Sequence, residues 1–260
     1  MDVIEPVTEA MLGPAAAVLG TLAVVLAVGE AWVLFVRQRQ GWSRAAAVAT
    51  NVFTGVLQQL AVPVSLALYL PLFAALHRAS PVALPVAWWV VPLAVVLADF
   101  FDYWSHRVSH ENRILWAIGH SVHHSSNEYD ASVGLRVSWV EGFIAPIFYL
   151  PAALIVDPAM LFAALGFTLL YQQWLHTSLV GRLGWLDRWL DTPSNHRVHH
   201  GRNAGYLDKN YGSLTMVWDR LFGTYVAETE PPRFGLTEPV TSHHPWEVHV
   251  AELRRLWRGR

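Results

Sequence analysis

Apolar residues in this 260-residue chain gather in long runs, and polar residues are confined to the stretches between them. This is neither the alternation of a half-buried strand nor the one-sided stripe of a helix on a soluble core; it predicts helices that are apolar all round. The first run, 13–36, is long enough for a helix needing roughly 20 apolar residues to cross a bilayer, and Glu30 inside it is expected to face protein rather than lipid. A second run, 45–76, contains Pro63 and Pro71 and predicts a long or kinked helix. A third covers 85–101, after a short turn that carries His77 and Arg78. The runs 139–156 and 159–175, separated by Asp157 and Pro158, predict a membrane hairpin or a shallower re-entrant pair.

Counting these passages brings three histidine-rich stretches, 104–138, 176–180 and 181–260, out on one face. Arg37, Arg39 and Arg44 in the first loop put that face in the cytoplasm, which for a bacterial chain means the inner membrane. The expected fold is all-α and a single domain: a four- to five-helix integral-membrane base, about 13–104 and 139–175, under a cytoplasmic helical cap, 105–138 and 176–260. Asp2, Glu5 and Glu9 precede the first run where a secretory signal would be basic, so that run is read as a retained membrane segment.

Composition agrees with this picture and narrows the chemistry. Hydrophobic residues make up 53% of the chain and charged residues 15%, well below the roughly 25% usual in soluble domains. A formal net charge of -2 and the lack of a basic aromatic stripe argue against a nucleic-acid partner. There is no cysteine, which excludes disulfides, thiolate metal sites and a cysteine nucleophile, so any metal must be held by nitrogen and oxygen. Against that background stand 13 histidines, the commonest metal-ligating side chain, and 13 tryptophans, which favour membrane interfaces.

The histidines are patterned. His106 and His110 lie one helical turn apart; His120, His123 and His124 form an H-x-x-H-H cluster, repeated by His196, His199 and His200; His176 ends the last apolar run. These nine exceed what one four-coordinate zinc uses and supply four or five ligands to each of two ions, which favours a dinuclear site. Imidazole alone does not choose among iron, copper, zinc and nickel. Asp102 and Glu111 are candidates to accept a hydrogen bond from a ligand's far ring nitrogen. Arg107, Arg136 and Arg197 flank the site and either meet a lipid phosphate or balance local carboxylates. His77 falls on the opposite face, and His243, His244 and His249 read as solvated residues of a polar tail. An apolar tunnel is expected to lead from the cluster toward the bilayer.

The stretches DFFDYWSHRVSHENRILWAIGHSVHHSS, LRVS, QQWLHTS and NHRVHHGRNAGYLDKNYGSLTMVWDRLFGTY, within about 99–228, resemble the fatty-acid hydroxylase/sterol desaturase superfamily, and look most like its alkylglycerol monooxygenase-like bacterial members. The resemblance implies a di-iron centre on the nine histidines, dioxygen as co-substrate, a membrane lipid as substrate and an external electron donor; alkylglycerol monooxygenase uses tetrahydrobiopterin. Some members carry a further histidine near the position of His176, where Gln172 and Val180 occupy the neighbouring turns here, so the ligand set is nine rather than ten. The expected activity is oxygen-dependent lipid hydroxylation. Desaturation at the same site is the close alternative, and a zinc-dependent membrane hydrolase or a metal-binding transporter the alternatives from other classes.

Overall fold

The computed structural model describes residues 42–259 and, before them, Thr21, Val25, Val28–Glu30, Trp32, Val33 and Val36. Among these residues the fold is helical, and the nearest approach to a sheet is one isolated bridge between Leu190 and Thr215. Most of the first predicted run lies outside the described residues. Glu30, which is described, accepts hydrogen bonds from the Ala131 N–H (2.9 Å) and the Thr177 hydroxyl (2.6 Å), so it faces protein.

Helix α1, Trp42–Ala79, runs for 38 residues, roughly 57 Å at 1.5 Å per residue, and Pro63 and Pro71 are accommodated inside it. It is the one described helix long and apolar enough to cross a membrane. Phe53, Val56, Leu60, Val64, Leu68 and Leu72 recur along it every three or four residues and are all exposed, forming an apolar stripe. The opposite side of α1 packs on α5 (Glu141–Tyr149) and α6 (Pro158–Gln173), and α2 (Val91–Glu111) packs in turn on α6 and α5. Leu66, Leu70 and Phe73 meet Ala94 and Ala98 of α2, Ala152 and Ala153, and Leu161, Phe162 and Leu165 of α6 in one buried cluster. Alanine at consecutive turns of α2 lets the helices approach closely.

Two expectations about the membrane base are corrected. The run 85–101 begins its helix only at Val91, after a 3₁₀ turn at Trp88–Val90, and continues past the apolar stretch to Glu111. The run 139–156 is not one helix: α5 has nine residues and gives way to a 3₁₀ turn, Leu150–Leu154, with Pro151 at its start. Proline removes a backbone donor and crowds the preceding turn, so this apolar run is too short as a helix to span a bilayer.

Beyond the base come α3 (Arg113–Leu115), a π-helical turn (Trp116–His120), α4 (Ser121–His124), a 3₁₀ turn (Ala131–Leu135), α7 (Pro193–His199), α8 (Val217–Phe222) and α9 (Pro245–Trp257). They gather at the end of the molecule where α1 begins and α2 ends. His77, at the far end of α1, bonds the Ala153 carbonyl (2.8 Å), remote from the other patterned histidines. The tail is more structured than a solvated segment: His243 bonds Ser43 (3.0 Å), His244 caps α9 through its contact with the Trp246 N–H, and the His249 Nε2 is buried.

Candidate metal centre

Four pieces of chain deliver the nine histidines. His106 and His110 project from the last turns of α2. Asn112 then stops that helix and caps the next, its side chain accepting from the N–H groups of Ile114 and Leu115, which turns the chain back across the site. His120 ends the π turn and His123 and His124 end α4; π turns inside helical runs are frequent at functional sites. His176 follows α6, and α7, started by Thr192 and Pro193, carries His196 and His199 and ends on His200.

The ring nitrogens fall into two groups. His106, His110, His120, His124 and His199 form one, and His123, His176, His196 and His200 the other; within each group the candidate ligand atoms all lie within 4.8 Å of one another. The groups adjoin, with the His124 and His200 rings stacked at 4.3 Å. Nε2 atoms approach pairwise: His106 to His120 at 3.0 Å, His110 to His124 at 3.1 Å, His123 to His176 at 3.1 Å, His176 to His196 at 2.9 Å and His196 to His200 at 3.2 Å.

The other ring nitrogens say what those approaches mean. Nδ1–H of His106 donates to the Tyr211 carbonyl (3.0 Å), that of His123 to Arg136 (3.0 Å), that of His176 to Gln172 (3.1 Å) and that of His199 to Lys209 (3.1 Å). A carbonyl only accepts, so in each neutral ring the proton sits on Nδ1 and Nε2 is a bare lone pair. The bare nitrogens of His123 and His176 therefore face each other with no proton between them, and that of His199 is buried without a partner. Protonation does not relieve this: burial holds the His106 ring down to about 4, with neighbouring His120 adding to the fall, and holds His120 down to about 3. A cation does relieve it. Two imidazole nitrogens about 2.1 Å from one ion and at right angles are about 3.0 Å apart, the separation seen here.

Asp102 and Glu111 are not hydrogen-bonded to any of these rings, which corrects the role expected of them. Asp102 accepts from Tyr149, Gln172 (2.9 Å) and Ser213, tying α2 to α5, α6 and the 211–216 segment, and acts on His106 only through its charge. Glu111 pairs with Arg107 (2.9 Å) on the surface. The carboxylates that do hold ligand rings are Glu141, on Nδ1 of His120 (2.6 Å), and Asp191, on Nδ1 of His196 (3.1 Å). Sequence reasoning missed both, although an acid at the head of an apolar run, as Glu141 is, signals a buried partner. Two of the three flanking arginines are internal braces, Arg197 as a two-toothed fork on Glu228 (3.0 and 2.8 Å) and Arg136 buried on Asn51, Ser125 and the Val122 carbonyl, while Arg107 pairs with Glu111 at the surface.

A cleft of about 260 Å³ reaches the histidines, lined by His110, His124, His199 and His200 with Arg113, Arg202, Asp208, Glu252, Trp116 and Leu207 among its other walls. Charged side chains and apolar surface from Trp116, Leu207 and Leu236 share its walls, so it is a mixed cleft rather than the wholly apolar tunnel expected from sequence.

Comparison with known proteins follows the same residues. The family model described as "Fatty acid hydroxylase" matches residues 91–224, from the head of α2 to the end of α8. Alkylglycerol monooxygenase of Homo sapiens is 44% identical over 173 residues, 66% of this chain and 38% of that protein, and its counterpart in Danio rerio 46% identical over 171 residues, 66% of this chain and 37% of that protein. Ornithine lipid hydroxylase OlsE of Rhizobium tropici is 32% identical over 156 residues, 59% of this chain and 46% of that protein. The chain thus spans less than half the length of these relatives. No solved structure matches it.

Proposed function

The chain belongs to the fatty acid hydroxylase family, and from that premise we propose that it is an oxygen-dependent hydroxylase of a membrane lipid, with two iron ions held by the nine histidines. The observation that carries this reading is the pair of bare, facing nitrogens on His123 and His176 within two adjoining groups of five and four rings. A redox metal pair in those groups supplies dioxygen activation. In the overall reaction one oxygen atom enters a C–H bond and the other leaves as water, with two electrons from an external donor and two protons.

The protein's own residues do the positioning. The carbonyls of Tyr211, Arg136, Gln172 and Lys209, with Glu141 and Asp191, fix which nitrogen points inward in six of the nine rings, so most of the ligand set is oriented before metal arrives. Burial keeps the rings neutral, the form that binds metal. The exposed apolar stripe of α1 suits lipid contact and a location in the membrane, with the histidine end facing the cytoplasm. A four- to five-helix base remains part of the proposal, since the first run lies outside the described residues.

The test is lipid analysis of cells with and without the gene under ¹⁸O-labelled dioxygen. Appearance of a lipid one labelled oxygen heavier supports hydroxylation. A lipid two hydrogens lighter without label assigns desaturation instead, and turnover that persists without oxygen assigns hydrolysis.

A further inference from the structure

The surface between the end of α6 and α8 is not that of a water-facing cap. Trp185, Trp189, Val217 and Leu221 are exposed, at 70%, 56%, 41% and 67% of their surface, and Phe222 lies beside them. The two segments that carry them are joined: Leu190 bridges Thr215, the Met216 N–H donates to the Trp189 carbonyl (2.9 Å) and Arg220 Nε to the Arg188 carbonyl (2.6 Å). Charge on this face has one sign. Arg182, Arg188 and Arg220 are exposed, while the acids of the same segments, Asp187 and Asp219, are buried and accept hydrogen bonds from Leu183, Thr192, Tyr211, Gly212 and Thr224.

The face also continues the apolar surface of α2. Leu93, Val96, Phe100 and Trp104 follow one another at helical spacing along a single stripe; Leu93 and Val96 are exposed, whereas Phe100 is covered by Trp218 (centroids 4.9 Å apart) and Trp104 by Phe222 (5.0 Å). Helix α8 thus takes over the outward side of α2 where that stripe ends. Depth decides what it meets. The exposed Trp88 and Trp89 at the head of α2 suit one membrane interface, and the 15 residues from Trp89 to Trp104 span only about 23 Å, short of the roughly 30 Å hydrocarbon core.

Resting on the reading of the chain as a membrane lipid hydroxylase, we infer that the Trp185, Trp189, Val217, Leu221 and Phe222 face is seated in the bilayer's headgroup–acyl boundary, with Arg182, Arg188 and Arg220 on anionic headgroups. Aromatic and aliphatic side chains interleaved with arginine are what an interfacial surface requires. The seat puts the histidine end of α2 at the depth where acyl chains begin, so a lipid reaches the metal centre without leaving its leaflet.

The absence of cysteine makes the test direct. Single variants Trp189→Cys, Leu221→Cys, Leu60→Cys and Ala204→Cys of the full chain carry an environment-sensitive fluorophore in vesicles of equal phosphatidylglycerol and phosphatidylcholine, and quenching by spin-labelled lipid is compared with quenching by aqueous iodide. Labels at 189 and 221 are expected to be quenched by lipid, as at 60 on the α1 stripe, and shielded from iodide at least several-fold relative to 204. Iodide quenching at 189 and 221 equal to that at 204 overturns the seat. Iodide access at 60 overturns instead the membrane reading of α1, and loss of metal or product without change in these labels speaks only against the hydroxylase reading. Combined Arg182→Gln, Arg188→Gln and Arg220→Gln is expected to raise iodide access at 221 in these vesicles and not in pure phosphatidylcholine; equal behaviour in both overturns the anionic-headgroup contact.

Discussion

At His123 the inward nitrogen has no proton and no partner other than another bare nitrogen, so its removal is not compensated by any thiolate or spare acid nearby. His123→Ala and His199→Ala are expected to abolish activity and lower bound metal from two ions per chain, while His77→Ala, at the other end of α1, leaves both unchanged; metal analysis of iron-supplied protein, where zinc competes for the same imidazoles, reads the difference. Equal loss at all three positions would contradict the assigned face. Glu141→Gln keeps a partner for His120 but not its charge, and a fall in metal affinity of about 10- to 100-fold is expected, larger than for Asp102→Asn. Acid acts through the same rings. His106 and His120 are neutral when folded and take up protons near 6.5 once unfolded, so the metal-free protein loses stability as pH falls below 6.5, until about 4 and about 3 respectively. The loss is on the order of a few kcal/mol, and denaturant midpoints that stay flat from pH 7 to 4 would refute it. The nine rings were legible in the sequence because imidazoles one turn apart, repeated in three places, point to little besides a shared metal. Their outward partners were not: four are backbone carbonyls, which any residue offers, and Glu141 lies 21 positions from its histidine.

Among elements, the 3₁₀ turn Ala131–Leu135 shows how tightly the site is wedged. A methyl group on Gly134 would come within 3.0 Å of the His176 ring and of Gln173, and one on Gly55 of α1 within 2.8 Å of the Leu135 carbonyl. Gly134→Ala is therefore expected to displace His176 and weaken the four-histidine group while the five-histidine group keeps its metal, a partial loss visible as one ion rather than two per chain. The hydropathy pattern located α1 and α6 to within a few residues, because long apolar runs without polar interruption have little choice but helix, whereas α2 starts six residues later and ends ten residues later than its run. It did not show that the 139–156 run breaks into α5 and a 3₁₀ turn, nor that a π turn carries His120. Those depend on proline crowding and on packing against α9, which a one-dimensional pattern does not contain.

For the whole molecule, the apolar stripe on α1 and the buried metal centre make separate demands. A charge in the middle of the stripe, Leu60→Arg with Leu68→Arg, is expected to cost about 2.5–3.5 kcal/mol per residue in lipid and to release the protein from membranes under alkaline carbonate extraction. Chelation leaves the stripe intact and so leaves membrane retention intact, yet removes a ligand bound only by the folded state. The melting temperature should fall by roughly 2–4 °C for each kcal/mol of binding free energy lost. The helical class was readable from run lengths alone, and the convergence of the histidine stretches from their repeated spacing. The cleft with its mixed walls and the structured tail were not, since both arise where α9 returns onto the turn carrying His120.

The short helix α7 is the one segment that contributes rings to both histidine groups from late in the chain. It supplies His199 to one group and His196 and His200 to the other, so neither group is whole until a segment nearly two hundred residues along has left the ribosome and docked. A chain that has emerged only through α6 carries four rings of the first group and one of the second, so on the proposed reading the second ion has no site until α7 docks. On the proposed two-iron reading, capture of the second ion would report completed synthesis, and a metal pair would not form on an unfinished chain.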